Sequence, residues 1–222
     1  MPETPTKKYK GPGMNGLIGT WYAKNTKKKM EKYTRDAKKV LKALSEGDSV
    51  LDLAPGPGYL SIELAKLGDF QITGLDISEK FVQMAQNNAD QAGVDVDFRH
   101  GDAAQIPFED HIFDLVVCRA AFKNFAQPLT ALNEMKRVLK PGGKAVIIDF
   151  KGDASKADIN QFVTDDMGYK GLNALIIKWM FRNVMIKQAY TKEKFMSFIK
   201  ESDFKTCDLR EGLVGIEAWL ES

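Results

Sequence analysis

The sequence has few cysteines, few histidines and no long apolar run, and each shortage excludes a class of protein. Cys118 and Cys207 are the only cysteines, which excludes a disulfide framework and a zinc cluster of the CxxC type. His100 and His111 are the only histidines, and their spacing does not suit a metal site. No run of about 18 apolar residues is present, so no membrane-spanning helix is expected. Residues 1–13 also lack the apolar core of a signal peptide. We therefore predict a cytoplasmic protein without a bound metal.

The charge of the chain is unevenly distributed. The 222 residues carry a net charge of +2, yet residues 1–46 contain twelve Lys and Arg against four Asp and Glu. A basic arm of this kind can bind nucleic acid or an anionic membrane surface. The lysines alternate with an apolar helical stripe, however, which is typical of a solvated helix face. Nucleic acid is therefore not the expected partner.

The apolar pattern after residue 46 alternates between short strand-like runs and amphipathic helices. Strands are predicted over 49–54, 71–75, 96–99, 113–118 and 144–150, with helices over 59–67, 78–92 and 128–139 between them. A further helix, 192–200, precedes two strands over 204–209 and 213–220 that are joined by a turn. This order predicts an α/β fold, a doubly wound, mostly parallel sheet with an antiparallel C-terminal strand pair.

The alternation stops between 152 and 190. Residues 158–187 are predicted to be helical, and 11 of the 15 residues over 172–186 are apolar. The polar ones fall all around the helix, so we expect it to be buried or to line an apolar cavity. Weak contact with a membrane surface is the alternative. We divide the single domain 1–222 into an N-terminal helical arm or lid (1–46), a cofactor-binding core (47–151), a helical cap (152–190), and a last helix with the strand pair (191–222).

Carboxylates follow three successive predicted strands. Asp52 ends the first strand and can accept hydrogen bonds from an ammonium group, and Gly56 and Gly58 behind it let a ligand approach the backbone at a helix N-terminus. Asp76 ends the second strand, where an acid can bind both hydroxyls of a ribose. Asp102 follows the third strand and can accept from an adenine amino group. The three acids therefore predict one nucleoside-binding crevice at the carboxyl edge of the sheet.

These motifs, with 106–110, 113–114 and 138–143, resemble in order and spacing those of the class I S-adenosylmethionine-dependent methyltransferases. The resemblance covers about residues 48–150, and within the superfamily it is to the small-molecule branch (methyltransferase type 11) that includes quinone-biosynthesis C-methyltransferases. It implies a Rossmann-like, seven-stranded sheet. It also implies transfer of a methyl group from S-adenosylmethionine to a small, apolar or aromatic acceptor, with S-adenosylhomocysteine as the product and no metal.

The resemblance further implies which residues hold the cofactor. They are Asp52, Ala54, Pro55, Gly56, Gly58, Asp76, Ile77, Asp102, Ala103, Cys118 and Arg119. The turn after Asp52 is implied to hold the methionine part, as is the pair Cys118 and Arg119 at its border, and Ile77 to pack on the adenine. The family usually has glycine at the position of Ala54, so a methyl group there can shift the turn and weaken cofactor binding.

Other activities stay open on the sequence alone. Ser61 stands where a dinucleotide fingerprint has its third glycine, and Asp52 precedes the turn. Together these two features favour S-adenosylmethionine over NAD, but an NAD-dependent dehydrogenase stays a competitor. An RNA or protein methyltransferase using the basic arm is a second alternative. A cofactor-binding protein without methyl transfer is a third.

The candidate acceptor-binding residues are Trp21, Tyr22, Lys123, Asn124 and Tyr169. Trp21 and Tyr22 lie on a glycine-punctuated segment that can close over the site as a lid or pack on the sheet edge. Lys123 can act as a base or hold an acidic substrate, or it can be a solvated loop residue. No catalytic residue is assigned, because methyl transfer depends mostly on positioning. The sequence does not indicate which atom is methylated or how many copies of the chain associate.

Overall fold

A computed structural model of the protein describes residues 30–222, and its centre is one seven-stranded sheet. The strands are β1 (Ser49–Leu53), β2 (Gln71–Asp76), β3 (Asp97–His100), β4 (Phe113–Arg119), β5 (Leu139–Phe150), β6 (Thr206–Glu211) and β7 (Gly215–Glu221). They lie in the order β3-β2-β1-β4-β5-β7-β6. Strands β1 to β5 are parallel, whereas β7 runs antiparallel to both β5 and β6. The predicted fold class is therefore confirmed.

The helices begin and end at residues whose chemistry favours a boundary. They are α1 (Met30–Val40), α2 (Tyr59–Ala65), α3 (Glu79–Ala92), α4 (Pro128–Val138), α5 (Lys156–Gln161), α6 (Gly171–Met180), α7 (Ile186–Gln188) and α8 (Lys192–Glu201). The Ser78 hydroxyl accepts from the Phe81 N–H at the start of α3, and Gly93 ends that helix with a φ of 66°. The Thr191 hydroxyl caps α8 in the same way. Short 3₁₀ turns occupy Leu41–Ala43 and Phe122–Asn124, and wider π-helical turns occupy Phe162–Asp166 and Phe181–Met185.

Two apolar layers enclose the sheet, one on each face. Along β1 and β4 successive side chains alternate between the layers, because strand residues point to opposite faces. Leu51 and Val116 pack in the layer that includes α4 and α8. Val50 and Leu115 pack in the layer that includes α1, α2 and α3. Helices therefore cover both faces, and the carboxyl ends of the parallel strands are left for a site.

The helical cap departs from the sequence-based expectation in two ways. The helix expected over 158–187 is interrupted after Met167, where Gly168 has a φ of 68°. The outer face of α6 is also exposed, so the expectation that 172–186 is buried or lines a cavity is wrong for that face. The reason is that α6 packs on one side only, through Ala174 and Ile177, against a cluster that includes Ile159 and Val163.

The predicted arm is only partly within the described residues. Helix α1 belongs to it, ends at Val40 and is followed directly by the 3₁₀ turn Leu41–Ala43. Trp21 and Tyr22 lie outside the described residues. Between residues 30 and 222, no helix combines the length and apolar character needed to cross a membrane. The division of the chain into arm, core, cap and C-terminal part stays a prediction.

Candidate functional site

The candidate site lies along the edge formed by the carboxyl ends of the five parallel strands. Across the sheet its charged side chains follow the order Asp102, Asp76, Asp52, Arg119 and Asp149, on or just after β3, β2, β1, β4 and β5. The order of strands reverses between β1 and β4, and in sheets of this kind the ligand crevice opens at such a reversal. The structure thus brings the three predicted acids to one edge.

Asp52 is a buried carboxyl group, and only one of its oxygens has a hydrogen-bond partner within the part of the chain that the structure describes. Only 1% of the residue is exposed, and its Oδ2 accepts a hydrogen bond of 2.6 Å from the Ser61 hydroxyl. Its Oδ1 is buried and has no hydrogen-bond partner among residues 30–222. Burial raises the pKa of Asp52 to about 7, against the lowering effects of the Ser61 hydrogen bond and the Arg119 charge. An unpaired buried oxygen is costly, so this carboxyl is suited to a cationic or hydrogen-bond-donating ligand.

The turn after β1 adopts left-handed backbone at three positions. Ala54, Gly56 and Gly58 have φ values of 59°, 56° and 79°. A side chain at Gly58 would meet Phe98 at 2.7 Å and Ala85 at 2.9 Å, so glycine is needed there for packing. A Cβ at Gly56 would have no atom within 4 Å. The space beside Gly56 is therefore open to a ligand, next to the first turn of α2.

Asp76 holds the neighbouring loop in place. Its Oδ2 accepts from the Gly56 N–H at 3.0 Å and its Oδ1 from the Ser78 N–H at 2.9 Å. Burial raises the pKa of Asp76, while these two backbone donors lower it. An ionised carboxylate can accept about four hydrogen bonds, so acceptor capacity remains for further donors. The backbone of the adjacent Ile77 is contacted by His100, whose Nε2 lies 3.1 Å from the carbonyl oxygen.

Asp102 and Ala103 are half-buried at the far end of the edge. The Oδ1 of Asp102 accepts from the Ala104 N–H at 3.0 Å, which closes a tight turn after β3. Together with Phe125 and Gln127 these residues line a small depression. The depression lies beside Asp102, which was expected to accept a hydrogen bond from the amino group of the adenine.

Cys118 and Arg119, expected to border the methionine end, lie at the end of β4 in different environments. The Cys118 thiol is fully buried, and burial raises its pKa well above the ordinary value. The Arg119 Nε donates to Asp36 at 2.7 Å, and its guanidinium lies 4.0 Å from the centre of the Tyr33 ring. Arg119 therefore connects the site edge to α1.

Lys123 is buried, so the alternative that it is a solvated loop residue is wrong. Only 5% of the residue is exposed, and its Nζ lies 3.1 Å from Oδ1 of Asp149 and also donates to the Ala120 carbonyl. The backbone N–H of Lys123 donates to the other oxygen of Asp149 at 2.8 Å. A buried lysine needs an acid beside it to offset the loss of its hydration. The resulting ion pair joins the loop after β4 to the end of β5.

The other acceptor candidates within the described residues lie in two different places. Asn124 is half-buried in the same 3₁₀ turn, and Tyr169 is half-buried against the cap cluster. Tyr190 lies nearby within a group of aromatic rings, 6.0 Å from Phe122 between ring centres. Burial, and then the charge of Asp149, raise the pKa of Tyr190 to about 12.

Four residues that lie on this edge or contact its residues were not among the predicted site residues. They are Ser61, Asp149, Asp36 and Tyr190. Asp149 could have been found, because it is an acid near the end of a predicted strand, as Asp76 is. Ser61 was interpreted only as a missing glycine, although a hydroxyl at that position can reach back to Asp52. Asp36 carried no such signal, because its role depends on how α1 packs.

The chain is similar in sequence to a known family of proteins. A family model described as a methyltransferase domain matches residues 44–203. The chain is 37% identical over 105 residues to the ubiquinone/menaquinone biosynthesis C-methyltransferase of Bdellovibrio bacteriovorus, covering 47% of this chain and 45% of that protein. It is 38% identical over 107 residues to the demethylmenaquinone methyltransferase of Deinococcus radiodurans, covering 48% and 44%. The match therefore spans less than half the length of these curated relatives.

Solved structures show the same fold. A putative S-adenosyl-L-methionine-dependent methyltransferase from Methanococcus maripaludis superposes with a TM-score of 0.71 at 22% identity, covering 95% of this chain and 96% of that one. The resemblance predicted from the sequence motifs is confirmed by the family match and by this fold. The chain belongs to the methyltransferase-domain family.

Proposed function

We propose that the protein binds S-adenosylmethionine at the carboxyl edge of its sheet and transfers the methyl group to a small apolar or aromatic molecule. This proposal rests on the buried carboxyl group of Asp52. One of its oxygens accepts a hydrogen bond from Ser61, and the other has no hydrogen-bond partner among the described residues. A buried oxygen of this kind favours a bound ammonium group. The methionine part of S-adenosylmethionine carries one.

The remaining parts of the cofactor fit the neighbouring residues in sequence along the edge. We assign the methionine part to Asp52 and to the turn of Ala54, Pro55, Gly56 and Gly58, where the space beside Gly56 is open. Asp76 is assigned to the ribose hydroxyls, because its two oxygens can accept beyond the two backbone donors they hold. Ile77, Asp102 and Ala103 are assigned to the adenine, and Cys118 and Arg119 to the border of the methionine end. When bound, the cofactor supplies an electrophilic methyl group on a sulfonium.

The protein's own contribution is to hold two molecules in line and exclude water. Positioning of this kind can lower a barrier by roughly 7–11 kcal/mol. We propose that Lys123 orients the acceptor instead of removing a proton from it, because its ammonium group already contacts Asp149 and the Ala120 carbonyl. No residue is assigned as a general base.

The acceptor is proposed to be of the quinone type. The curated relatives are named for ubiquinone/menaquinone biosynthesis and for demethylmenaquinone. Asn124 and Tyr169, together with Trp21 and Tyr22 outside the described residues, remain the proposed contacts for it. We do not propose a dehydrogenase or an RNA or protein methyltransferase, because the two curated relatives are methyltransferases named for quinone biosynthesis. The cytoplasm remains the proposed compartment, in keeping with two free thiols.

The test is transfer of a labelled methyl group. The full chain is incubated with S-adenosylmethionine carrying tritium in its methyl group and with a reduced demethylmenaquinone, and the organic phase is counted. We expect label in the quinone, and at least a tenfold lower rate for Asp52→Ala. The matched control is Asp97→Ala, an exposed acid at the opposite end of β3 that pairs with Arg99, and it should keep the wild-type rate. Binding of S-adenosylhomocysteine without transfer to quinones or to fractionated metabolites would instead support a cofactor-binding protein.

A further inference from the structure

The outer face of α6 presents large apolar side chains to solvent. Leu172, Leu175, Ile176 and Trp179 are 72%, 64%, 55% and 63% exposed. Their spacing of three and four residues places them on one side of the helix, opposite the buried Ala174. We name these four residues the α6 face. Exposed apolar residues that are contiguous mark a contact surface, whereas single ones do not.

The segment that contains the α6 face is positively charged. Residues 167–191 contain the four cations Lys170, Lys178, Arg182 and Lys187 and no acid. Lys170 and Lys187 are exposed at the two ends of the segment. Arg182 is partly engaged, since its guanidinium donates to Asn160 at 2.8 Å. The nearest acids in sequence on the N-terminal side, Asp165 and Asp166, lie in the preceding turn before the break in the cap.

We propose that the α6 face docks the protein on an anionic lipid bilayer, with α6 lying in the plane of the interface. Apolar residues that include a tryptophan, bordered by Lys and Arg, match the chemistry of such a surface. The basic border supplies the attraction to acidic headgroups, and the leucines and isoleucine supply the buried apolar area.

A second copy of the chain is a poorer occupant of the same surface. In a symmetric pair the α6 face would meet itself, which brings the exposed Lys170 and Lys187 of one copy close to those of the other. A stable protein interface also buries about 800 Å² on each partner, and the α6 face is a single strip along a ten-residue helix. A lipid surface needs no such complementary shape.

The opposite side of the same segment packs on the site edge. Phe181, which follows α6, lies 5.5 Å from Phe150 at the end of β5, ring centre to ring centre. Asp149, which holds Lys123, immediately precedes Phe150. Docking through the α6 face would therefore place the acceptor side of the sheet edge toward the membrane. The lipid contact is inferred from the surface alone, so it can fail while methyl transfer stands.

The experiment is cosedimentation of the full chain with vesicles. Phosphatidylcholine vesicles containing about a third phosphatidylglycerol are compared with pure phosphatidylcholine vesicles, at low and high salt. We expect at least tenfold stronger partitioning to the anionic vesicles, weakened by salt. Leu175→Ser with Trp179→Ser should lower this partitioning at least tenfold. Lys170→Gln with Lys187→Gln should lower it and flatten the salt dependence, whereas Lys200→Gln with Lys205→Gln, two exposed lysines outside the cap, should change it little.

Three results would overturn the lipid contact. Absence of binding to anionic vesicles contradicts it directly. Binding that both cap variants leave unchanged locates the contact elsewhere, for example in the basic residues 1–46. A dimer that Leu175→Ser with Trp179→Ser dissociates, seen by sedimentation velocity without any vesicle binding, identifies a second copy as the occupant. Unchanged circular dichroism of each variant shows that folding is retained.

Discussion

Ala54 adopts a left-handed backbone, with a φ of 59°, a conformation that glycine adopts without strain. In this region the Cβ of an L-residue crowds the carbonyl oxygen, at a cost of roughly 1–2 kcal/mol. Its N–H nevertheless donates to the Leu75 carbonyl at 2.8 Å, which holds the turn against β2. The turn thus keeps its shape and carries strain that glycine would not.

We predict that Ala54→Gly raises the free energy of unfolding by about 1 kcal/mol, because the strain is removed. Urea denaturation measures this change. The control is Ala92→Gly at the exposed end of α3, which should destabilise, since glycine there only adds freedom to the unfolded chain. A loss of stability in Ala54→Gly would contradict the left-handed conformation.

Because burial raises the pKa of Asp52, we predict that the stability of the protein depends on pH. Its pKa is raised from 3.8 to about 7, so between these values the folded chain keeps a proton that the unfolded chain has released. The contribution of Asp52 to stability is therefore complete below pH 3.8 and is lost as the pH rises through about 7.

An asparagine at position 52 cannot titrate, so the comparison isolates this carboxyl. From pH 5 to pH 8 we expect the stability of the wild type to fall by about 2.5 kcal/mol relative to Asp52→Asn, at roughly 1.4 kcal/mol per pH unit of linked titration. Thermal or urea unfolding at both pH values provides the measurement. Parallel curves for the two proteins would show that Asp52 does not have a raised pKa.

The pair of Lys123 and Asp149 joins the loop after β4 to the end of β5. The side chains are 6% and 3% exposed, so neither charge is solvated when its partner is removed. Removal of one member of a buried pair typically costs about 3–5 kcal/mol.

We predict that Lys123→Met lowers the free energy of unfolding by about 3 kcal/mol, because Asp149 is left buried without its cation. Lys144→Met is the matched control, since Lys144 pairs with Glu221 at 3.5 Å on the exposed surface. It should cost less than about 1 kcal/mol. Equal effects of the two substitutions, measured by urea denaturation, would mean that Lys123 is not held in a buried pair.

Elements and residues differ in how far the sequence could predict them. Short apolar runs between amphipathic helices predicted the five parallel strands, because a strand buried on both faces needs a continuous apolar sequence. Acids at strand ends predicted Asp52, Asp76 and Asp102 at one edge, because parallel strands end together. The exposure of Leu175 and Trp179 could not be predicted, since apolar composition alone does not show whether a second layer covers a helix.

Contacts between distant elements were likewise beyond the sequence. The bond between Arg119 and Asp36 spans 83 residues, and neither residue indicates the other. Lys123 has a paired acid only because β5 lies beside β4, which strand order alone decides. Topology therefore determines which charges are neutralised, while local pattern determines where the strands lie.

At the scale of the whole molecule, one edge of the sheet carries both halves of the proposed reaction. The acids for the cofactor lie on the side of β1, β2 and β3, whereas Lys123 and Asp149 lie on the side of β4 and β5. The cap, with its exposed α6 face, packs on the end of β5 through Phe150 and Phe181. Cofactor and acceptor are thus proposed to approach from opposite ends of the edge and to meet at the reversal between β1 and β4.

Titration calorimetry with S-adenosylhomocysteine tests the cofactor site most directly, because it needs no knowledge of the acceptor. We predict saturable binding to the wild type and unchanged affinity in Asp97→Ala. Affinity should be at least tenfold weaker in Asp76→Ala, because this substitution removes the carboxylate proposed to accept hydrogen bonds from the ribose hydroxyls. Absence of binding heat in the wild type at several temperatures, or equal affinity in all three proteins, would contradict the account.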